Sequence, residues 1–433
     1  MKIADLQQIA VLGAGRSGLA AASLACAHGM EVTVHDEKAV DARREVVAQL
    51  AAQGTNFALG PEGLERAEAV VVSPGIPPES SLVQAAEAGG RPLLGEVEFA
   101  WRLDPDPRVV ALTGTNGKTT TTEMVQAIAL RAGLEHGVGG NYGTPYSELV
   151  EHHPKGWKIL EISSFQLERI ERFHPQIAVW LNFAADHLDR YPDLHAYFQA
   201  KARLLENLGP DDLLILSGEI GVVAEAVPTV GYDTAAGHFQ EKGGRIQEGE
   251  QVLGSLEELA FRGQHNVLNA RAALEVARGL GVPRQEAWEA LRTYRPPAHR
   301  YEWVRHFEGA DYINDSKGTN PHALEKALLA EKRPTVLIAG GKDKGFVFPD
   351  LPAGGQVRAA LLVGQVAEAV AGVWARQADC EVVKTIERAV ARARELAQPG
   401  DRILLSPGTS SFDQFTGFEA RGDHFRQLVA SLI

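Results

Sequence analysis

Two stretches of this chain place glycines, a lysine and hydroxyls at spacings suited to phosphate chemistry. The more informative is RVVALTGTNGKTTTTEMVQAIALRAG, where an apolar strand runs into a tight loop and then a helix. Gly114 and Gly117 permit the turn and leave backbone amides facing an anion at the helix N-terminus. Around them Thr115, Asn116, Lys118, Thr119 and Thr120 complete an ATP cradle. In such a loop the lysine reaches the β- and γ-phosphates and the hydroxyl after it faces Mg²⁺. The spacing departs from the usual GxxxxGK[ST], because two residues separate the glycines and Leu112 stands where the earlier one belongs.

The other stretch, QQIAVLG followed by Gly13-Ala14-Gly15-Arg16-Ser17-Gly18, precedes a helix and the strand EVTVHD. Asp36 closes that strand roughly 20 residues on, where a ribose contact is expected. Alone this pattern reads as an NAD site. A full dinucleotide site needs two βαβαβ halves, and the next phosphate loop arrives at Gly114, so half a Rossmann fold holding one nucleotide is the better fit. VVVSPGIP offers Ser73 and Gly75 to the same crevice, or is only a Pro/Gly turn.

Metal ligands are sought at strand ends after the phosphate loop. KILEISS puts Glu161 near the end of a buried strand, and QIAVWLNFAADHLDRY ends one near Asn182 before Asp186 and His187. Hard oxygen ligands there suit Mg²⁺, which keeps several waters; a structural polar group is the alternative. HAYFQAKARLLENL reads as an amphipathic helix whose Lys201 is a solvated surface residue.

These motifs need a scaffold, and the pattern supplies one. Val-, Ile- and Leu-rich strands alternate with Ala-rich helices, as in parallel sheets built from βαβ units. The alternation restarts after GEVEFAWRL and the break DPDPR, and again after Pro296-Pro297, where a helix cannot continue. The expectation is an α/β chain of three consecutive domains. Residues 1–93 form an N-terminal Rossmann-like half-fold, 94–297 a central P-loop ATPase-type domain with a mostly parallel sheet, and 298–433 a C-terminal Rossmann-like domain. The length of 433 residues suits several cores. A net charge of −13 argues against nucleic acid as partner, while leaving small anions to local cations. Cys26 and Cys380 match no metal or redox spacing. No apolar run is long enough for a bilayer, and a cytoplasmic, monomeric protein is expected.

With GTNGKTT, GGNYGTP, LEISSFQL, NFAADHLDRY, GQHNVLNA, PAHRYE, NDSKGTNP, AGGKDKG and SPGTSSFDQF in this order, the chain resembles the Mur ligase family over nearly its whole length. LEISSFQL, DHLDRY and SFDQF point to the branch that adds D-glutamate. The resemblance implies an ATP-dependent ligation of D-glutamate to UDP-N-acetylmuramoyl-L-alanine in peptidoglycan precursor synthesis. It implies that Gly15, Ser17, Gly18, Asp36, Ser73 and Gly75 serve the uridine-diphosphate substrate. Lys118, Thr119 and Glu161 would serve ATP and a first Mg²⁺, with Asn141 and His187 near the reacting groups and His187 on a second Mg²⁺. Lys201 matches the lysine that carbon dioxide converts to a metal-binding carbamate. Asn266, Asn269, Arg300, Asp315 and Lys317 would reach the ATP, although the two asparagines read equally as helix caps. Thr319, Lys344, Ser411, Phe412 and Phe418 would hold D-glutamate, whose two carboxylates call for a cation.

Tyr142 in GGNYGTP, and Gly408 and Thr409 in SPGTSSF, depart from the family pattern without removing a charged group. The rivals are other muropeptide ligases, folylpolyglutamate synthase, an NAD-dependent oxidoreductase using Gly13–Gly18, and a nucleotide-binding regulator without chemistry.

Overall fold

The computed structural model describes residues 2–152, 155–188, 190–222, 226–261, 263–345, 348–352 and 356–433; Asp189 of the DHLDRY run lies outside them. The fold is a three-domain α/β arrangement that packs as two compact units. One comprises Met1–Phe183, His195–Leu256 and Asn269–Arg292, the other Ala184–Leu194, Glu257–Leu268 and Thr293–Ile433.

The first unit opens with five parallel strands, β1 (Gln8–Leu12), β2 (Glu31–Asp36), β3 (Asn56–Leu59), β4 (Ala69–Val72) and β5 (Leu93–Gly95). Their order, β3-β2-β1-β4-β5, reverses direction between β1 and β4. Loops leaving the carboxyl ends of strands on either side of such a reversal part and open a crevice. Here they are the Gly13–Gly18 loop and the turn at Ser73. No second half follows in this sheet.

After β5 the helix Glu96–Leu103 carries two acids inside, against the usual rule that carboxylates face water. Glu98 accepts backbone N–H bonds from Glu171, Arg172 and Phe173 at 2.9–3.0 Å and pairs with Arg102. Glu96 Oε1 accepts from Ser147 N at 2.6 Å, and burial raises its pKa. Glu96 ties the helix to the start of the helix Tyr146–His152 and Glu98 ties it to the loop before the strand at Ile177, both in the following domain, with which it shares one continuous core.

That sheet is parallel and six-stranded: β6 (Val109–Thr113), β7 (His136–Gly140), β8 (Trp157–Glu161), β9 (Ile177–Trp180), β10 (Leu213–Leu216) and β11 (Thr229–Gly231). The order β11-β10-β9-β6-β8-β7 puts β6 between β8 and β9. Every residue of β6 is buried, as expected for a strand covered on both faces. A small antiparallel sheet follows, β12 (Phe239–Lys242), β13 (Arg245–Glu248) and β14 (Gln251–Ser255), which the sequence pattern did not announce. The helix bearing Lys201 runs Leu194–Ala202 and then tightens into a 3₁₀ turn, Arg203–Leu205, short of the longer helix the pattern suggested.

The second unit holds β15 (Glu302–Phe307), β16 (Ala310–Asn314), β17 (Thr335–Gly340), β18 (Val357–Val363), β19 (Asp379–Lys384) and β20 (Arg402–Leu405). Their order is β15-β16-β20-β17-β18-β19, parallel except for the β15–β16 hairpin at one edge. Among the described residues no helix is long and apolar enough to cross a membrane.

Glu98 gives the first expected outcome. Replacing it with Ala strands three backbone N–H donors, that of Phe173 buried, and the half-enclosed Arg102 guanidinium, which should cost about 3 kcal/mol. Urea unfolding of Glu98→Ala against the parent chain reads that loss directly.

Candidate active site

Strand β6 delivers its loop at the centre of the parallel sheet, and the neighbouring strands deliver the groups around it. Gly114 and Gly117 have φ of +151° and +82°, both in the region that favours glycine. At Gly117 a Cβ would also come within 2.5 Å of Asn269 Oδ1, so the loop and that asparagine touch without room for a side chain. Asn182, just past β9, brackets the loop from the other side. Its Oδ1 accepts from Asn116 N at 2.8 Å and its Nδ2 donates to Asn116 O at 2.9 Å.

Lys118 opens the helix Lys118–Arg131 and folds back, donating to Gly114 O at 2.8 Å and Thr115 O at 3.0 Å. Thr119 Oγ1 donates to Glu161 Oε2 at 2.7 Å, and Asn141 Nδ2 donates to Glu161 Oε1 at 2.8 Å. One buried carboxylate at the end of β8 thus joins the head of the phosphate loop to the turn after β7. Oxygen donors from Thr119 and Glu161 fit Mg²⁺. No group of three His, Cys, Asp or Glu side chains is gathered for a metal among the described residues, and Mg²⁺ does not need one.

Lys201 is 1% exposed. The surface reading drawn from helical pattern does not hold. Its Nζ donates to Gly114 O at 2.9 Å and lies 4.8 Å from the centre of the Tyr197 ring. The helix period placed it on a polar face; the sheet below turned that face inward.

In the first sheet Asp36 Oδ2 accepts from Ala14 N at 2.8 Å, and Ser73 Oγ donates to Gly13 O at 3.3 Å. A Cβ at Gly18 would stand 1.9 Å from Gly13 O, so the helix packs on the loop only with glycine there. Around Gly15 and Gly75 a Cβ would meet nothing, leaving these backbones open to a ligand.

In the second unit Asp186 is the centre of a small polar cluster. Its Oδ1 accepts from His187 N at 2.9 Å and lies 3.8 Å from Lys344 Nζ, while Oδ2 accepts from Asn320 Nδ2 at 3.0 Å. His187 itself has φ +54°. Asp315 accepts from Ser406 Oγ at 2.9 Å and from Tyr301 N at 3.2 Å, and Lys317 Nζ sits 3.8 Å above the Phe418 ring. The Ser410 and Ser411 hydroxyls are buried without a hydrogen-bond partner among the described residues, although buried polar groups are normally satisfied. Phe412 is 64% exposed.

This geometry coincides with three family matches that together span most of the chain. They are the Mur ligase MurD-like N-terminal domain over residues 7–95, the Mur ligase middle domain over 112–277 and the Mur ligase glutamate ligase domain over 299–408. UDP-N-acetylmuramoylalanine–D-glutamate ligases of Pelotomaculum thermopropionicum and Myxococcus xanthus are each 38% identical to it, over 98% of both chains. The chain belongs to the Mur ligase family. Solved structures share the fold at 18% identity. MurF from Acinetobacter baumannii has a TM-score of 0.61 over 92% of this chain and 91% of that one. UDP-N-acetylmuramate-alanine ligase from Thermotoga maritima has 0.58 over 98% and 99%.

Three side chains in this Mur ligase carry contacts that the motifs did not assign. Asn182 and Asn320 lay inside quoted runs, NFAADHLDRY and NDSKGTNP, but an asparagine after a strand or before Pro321 reads first as a cap or turn. Asn320 is indeed a cap, its Oδ1 accepting from Ala323 N, and its other end holds Asp186. Tyr197 gave no signal beyond helical spacing.

Burial pushes the Asp315 carboxyl from 3.8 up to about 7, against the pull of its hydrogen bonds and of Arg300 and Arg421. From about pH 4 to about pH 7 the folded chain therefore keeps a proton that the unfolded chain releases, so stability falls as pH rises through that window. Asp315→Asn should flatten this dependence, gaining stability over the parent at about pH 8 relative to about pH 5 in urea titrations. An unchanged slope would refute the assignment.

Proposed function

We propose that this Mur ligase joins D-glutamate to UDP-N-acetylmuramoyl-L-alanine, converting ATP to ADP and phosphate, in the cytoplasmic assembly of peptidoglycan precursors. The observation that carries the reading is the convergence of Lys118, Thr119, Glu161 and Lys201 on one glycine loop, in a chain so similar to D-glutamate-adding ligases. A regulator without chemistry would have little use for a loop lysine beside a buried lysine and a buried glutamate. The isolated five-stranded first sheet favours a single nucleotide over NAD.

In the first step a carboxylate oxygen of the alanyl group attacks the γ-phosphorus of ATP, and the bond from that phosphorus to the ADP oxygen breaks. The loop amides and Lys118 hold the phosphates in line and offset charge on the transferring group. Bound through Thr119 and Glu161, Mg²⁺ would neutralise phosphate charge. The uncharged amine of D-glutamate then attacks the acyl carbon; the tetrahedral intermediate loses a proton and expels phosphate. Lys344, with Thr319 and the two unpartnered hydroxyls at Ser410 and Ser411, suits the carboxylates of D-glutamate. Asp186 holds Lys344 and the backbone of His187 within the same unit. Gly15, Ser17, Gly75 and Asp36 suit the uridine diphosphate.

Lys201 is assigned the carbamate. Its neutral amine adds to carbon dioxide, forming an N–C bond and releasing a proton, and a buried position protects the product from water. A carboxylate there would serve as a second oxygen ligand beside Glu161.

Phosphate release with ATP, Mg²⁺, bicarbonate and UDP-N-acetylmuramoyl-L-alanine should depend on D-glutamate within a panel of amino acids. Release with another amino acid instead would move the chain to a sister activity; none at all would overturn the reading. Lys201→Ala should abolish turnover, with partial rescue by a small added carboxylic acid, and should remove a ¹³C carbamate resonance seen in the parent with labelled bicarbonate. Full activity of the unrescued variant would dismiss the carbamate.

A further inference from the structure

Five described residues other than glycine hold a positive φ, and two of them flank a single arginine. His299 has φ +69° and Tyr301 φ +49°, with Arg300 between. Side chains bearing a Cβ avoid this left-handed region, and two such residues one apart persist only where their surroundings over-determine them.

The surroundings do so here. His299 N donates to Glu302 Oε2 at 2.9 Å, and its ring Nδ1 accepts from Asn314 Nδ2 at 2.9 Å. Its Nε2 faces Asp423 Oδ1 at 3.6 Å, and the ring lies against the backbone of Gly422, where a Cβ would come within 2.2 Å of Nδ1. Tyr301 is fastened at both ends, N to Asp315 Oδ1 at 3.2 Å and OH to the buried Glu331 at 2.7 Å. Arg300, in contrast, makes no hydrogen bond or ion pair among the described residues, and its charge is felt at Asp315.

We propose that His299 and Tyr301 are positioning residues. Their clamped left-handed backbones hold Arg300 in one direction, and the guanidinium so aimed meets the nucleotide phosphates. The alternative is that the two outliers merely turn the chain into β15. The proposal rests on the reading of Arg300 as an ATP contact, and the experiment separates the two.

The measurement is steady-state kinetics with the other substrates saturating, beside thermal unfolding of each variant. Arg300→Ala should raise the KM for ATP about tenfold; if it does not, the ATP reading of Arg300 falls rather than the clamp. His299→Ala should raise the KM for ATP about fivefold while kcat and the KM for D-glutamate stay within about twofold. Added to Arg300→Ala, it should cost less than a further factor of about two, because residues acting through one another are not additive. His299→Asn and His299→Gln serve where the Ala variant does not fold. Both carry an amide, but Asn enters the left-handed region more readily, so Asn should restore the ATP KM and Gln should not. Independent, multiplying effects of His299 and Arg300, or equal behaviour of Asn and Gln, would overturn the clamp.

Discussion

Two lysine side chains share one carbonyl oxygen, and much of the site follows from that crowding. Lys118 and Lys201 both donate to Gly114 O, at 2.8 and 2.9 Å. Two ammonium groups this close would repel, more strongly out of water than in it, and backbone carbonyls such as those of Gly114 and Thr115 offset part of that repulsion. An arriving polyphosphate would turn the arrangement from costly to favourable, and the carbamate proposed for Lys201 would do the same from within. The loop must then be rigid enough to keep both lysines in place. Asn182 on one side, Asn269 on the other and the Thr119–Glu161 bond beneath supply that rigidity, each from an element flanking β6 or packed on it.

The parts of this arrangement that were legible in the sequence are those encoded within a few residues of each other. Glycines before a helix, an acid closing a strand and a lysine followed by a hydroxyl have a pattern at short range, and Gly114, Asp36, Glu161 and Thr119 lie at the loop, strand ends and helix start where that pattern puts them. What was illegible depends on a partner far along the chain. Glu98 looks like the polar face of an amphipathic helix until backbone donors 73 to 75 residues later close on it. Asp186 gains its role from Asn320, 134 residues on. Lys201 is the sharpest case, since helical period alone would solvate it; only the sheet decides which face of that helix is covered. The β12–β14 sheet and the antiparallel β15 escaped for a plainer reason. Their strands are short, partly exposed and charged, so the hydrophobic alternation that marks a strand is weak in both.

The acids that lie inside do different work from the acids outside. Glu98 and Glu161 accept hydrogen bonds from groups on other elements and so hold them in fixed relation, whereas burial pushes Asp315, which also accepts two hydrogen bonds, toward its neutral form.

Acids outnumber Lys and Arg by 56 to 43 and give the chain its net charge of −13, which at first sight opposes a reaction whose substrates are all anions. The two effects act over different distances. At physiological salt the Debye length is about 8 Å, so the surface charge fades within a few water layers. Lys118 and the loop amides would act at contact, in surroundings of lower dielectric. A small anion that reaches the loop meets only the local field. A long polyanion such as nucleic acid would lie along the surface and meet its net negative charge, so one charge distribution is compatible with a small anion at the loop and unfavourable to a nucleic acid.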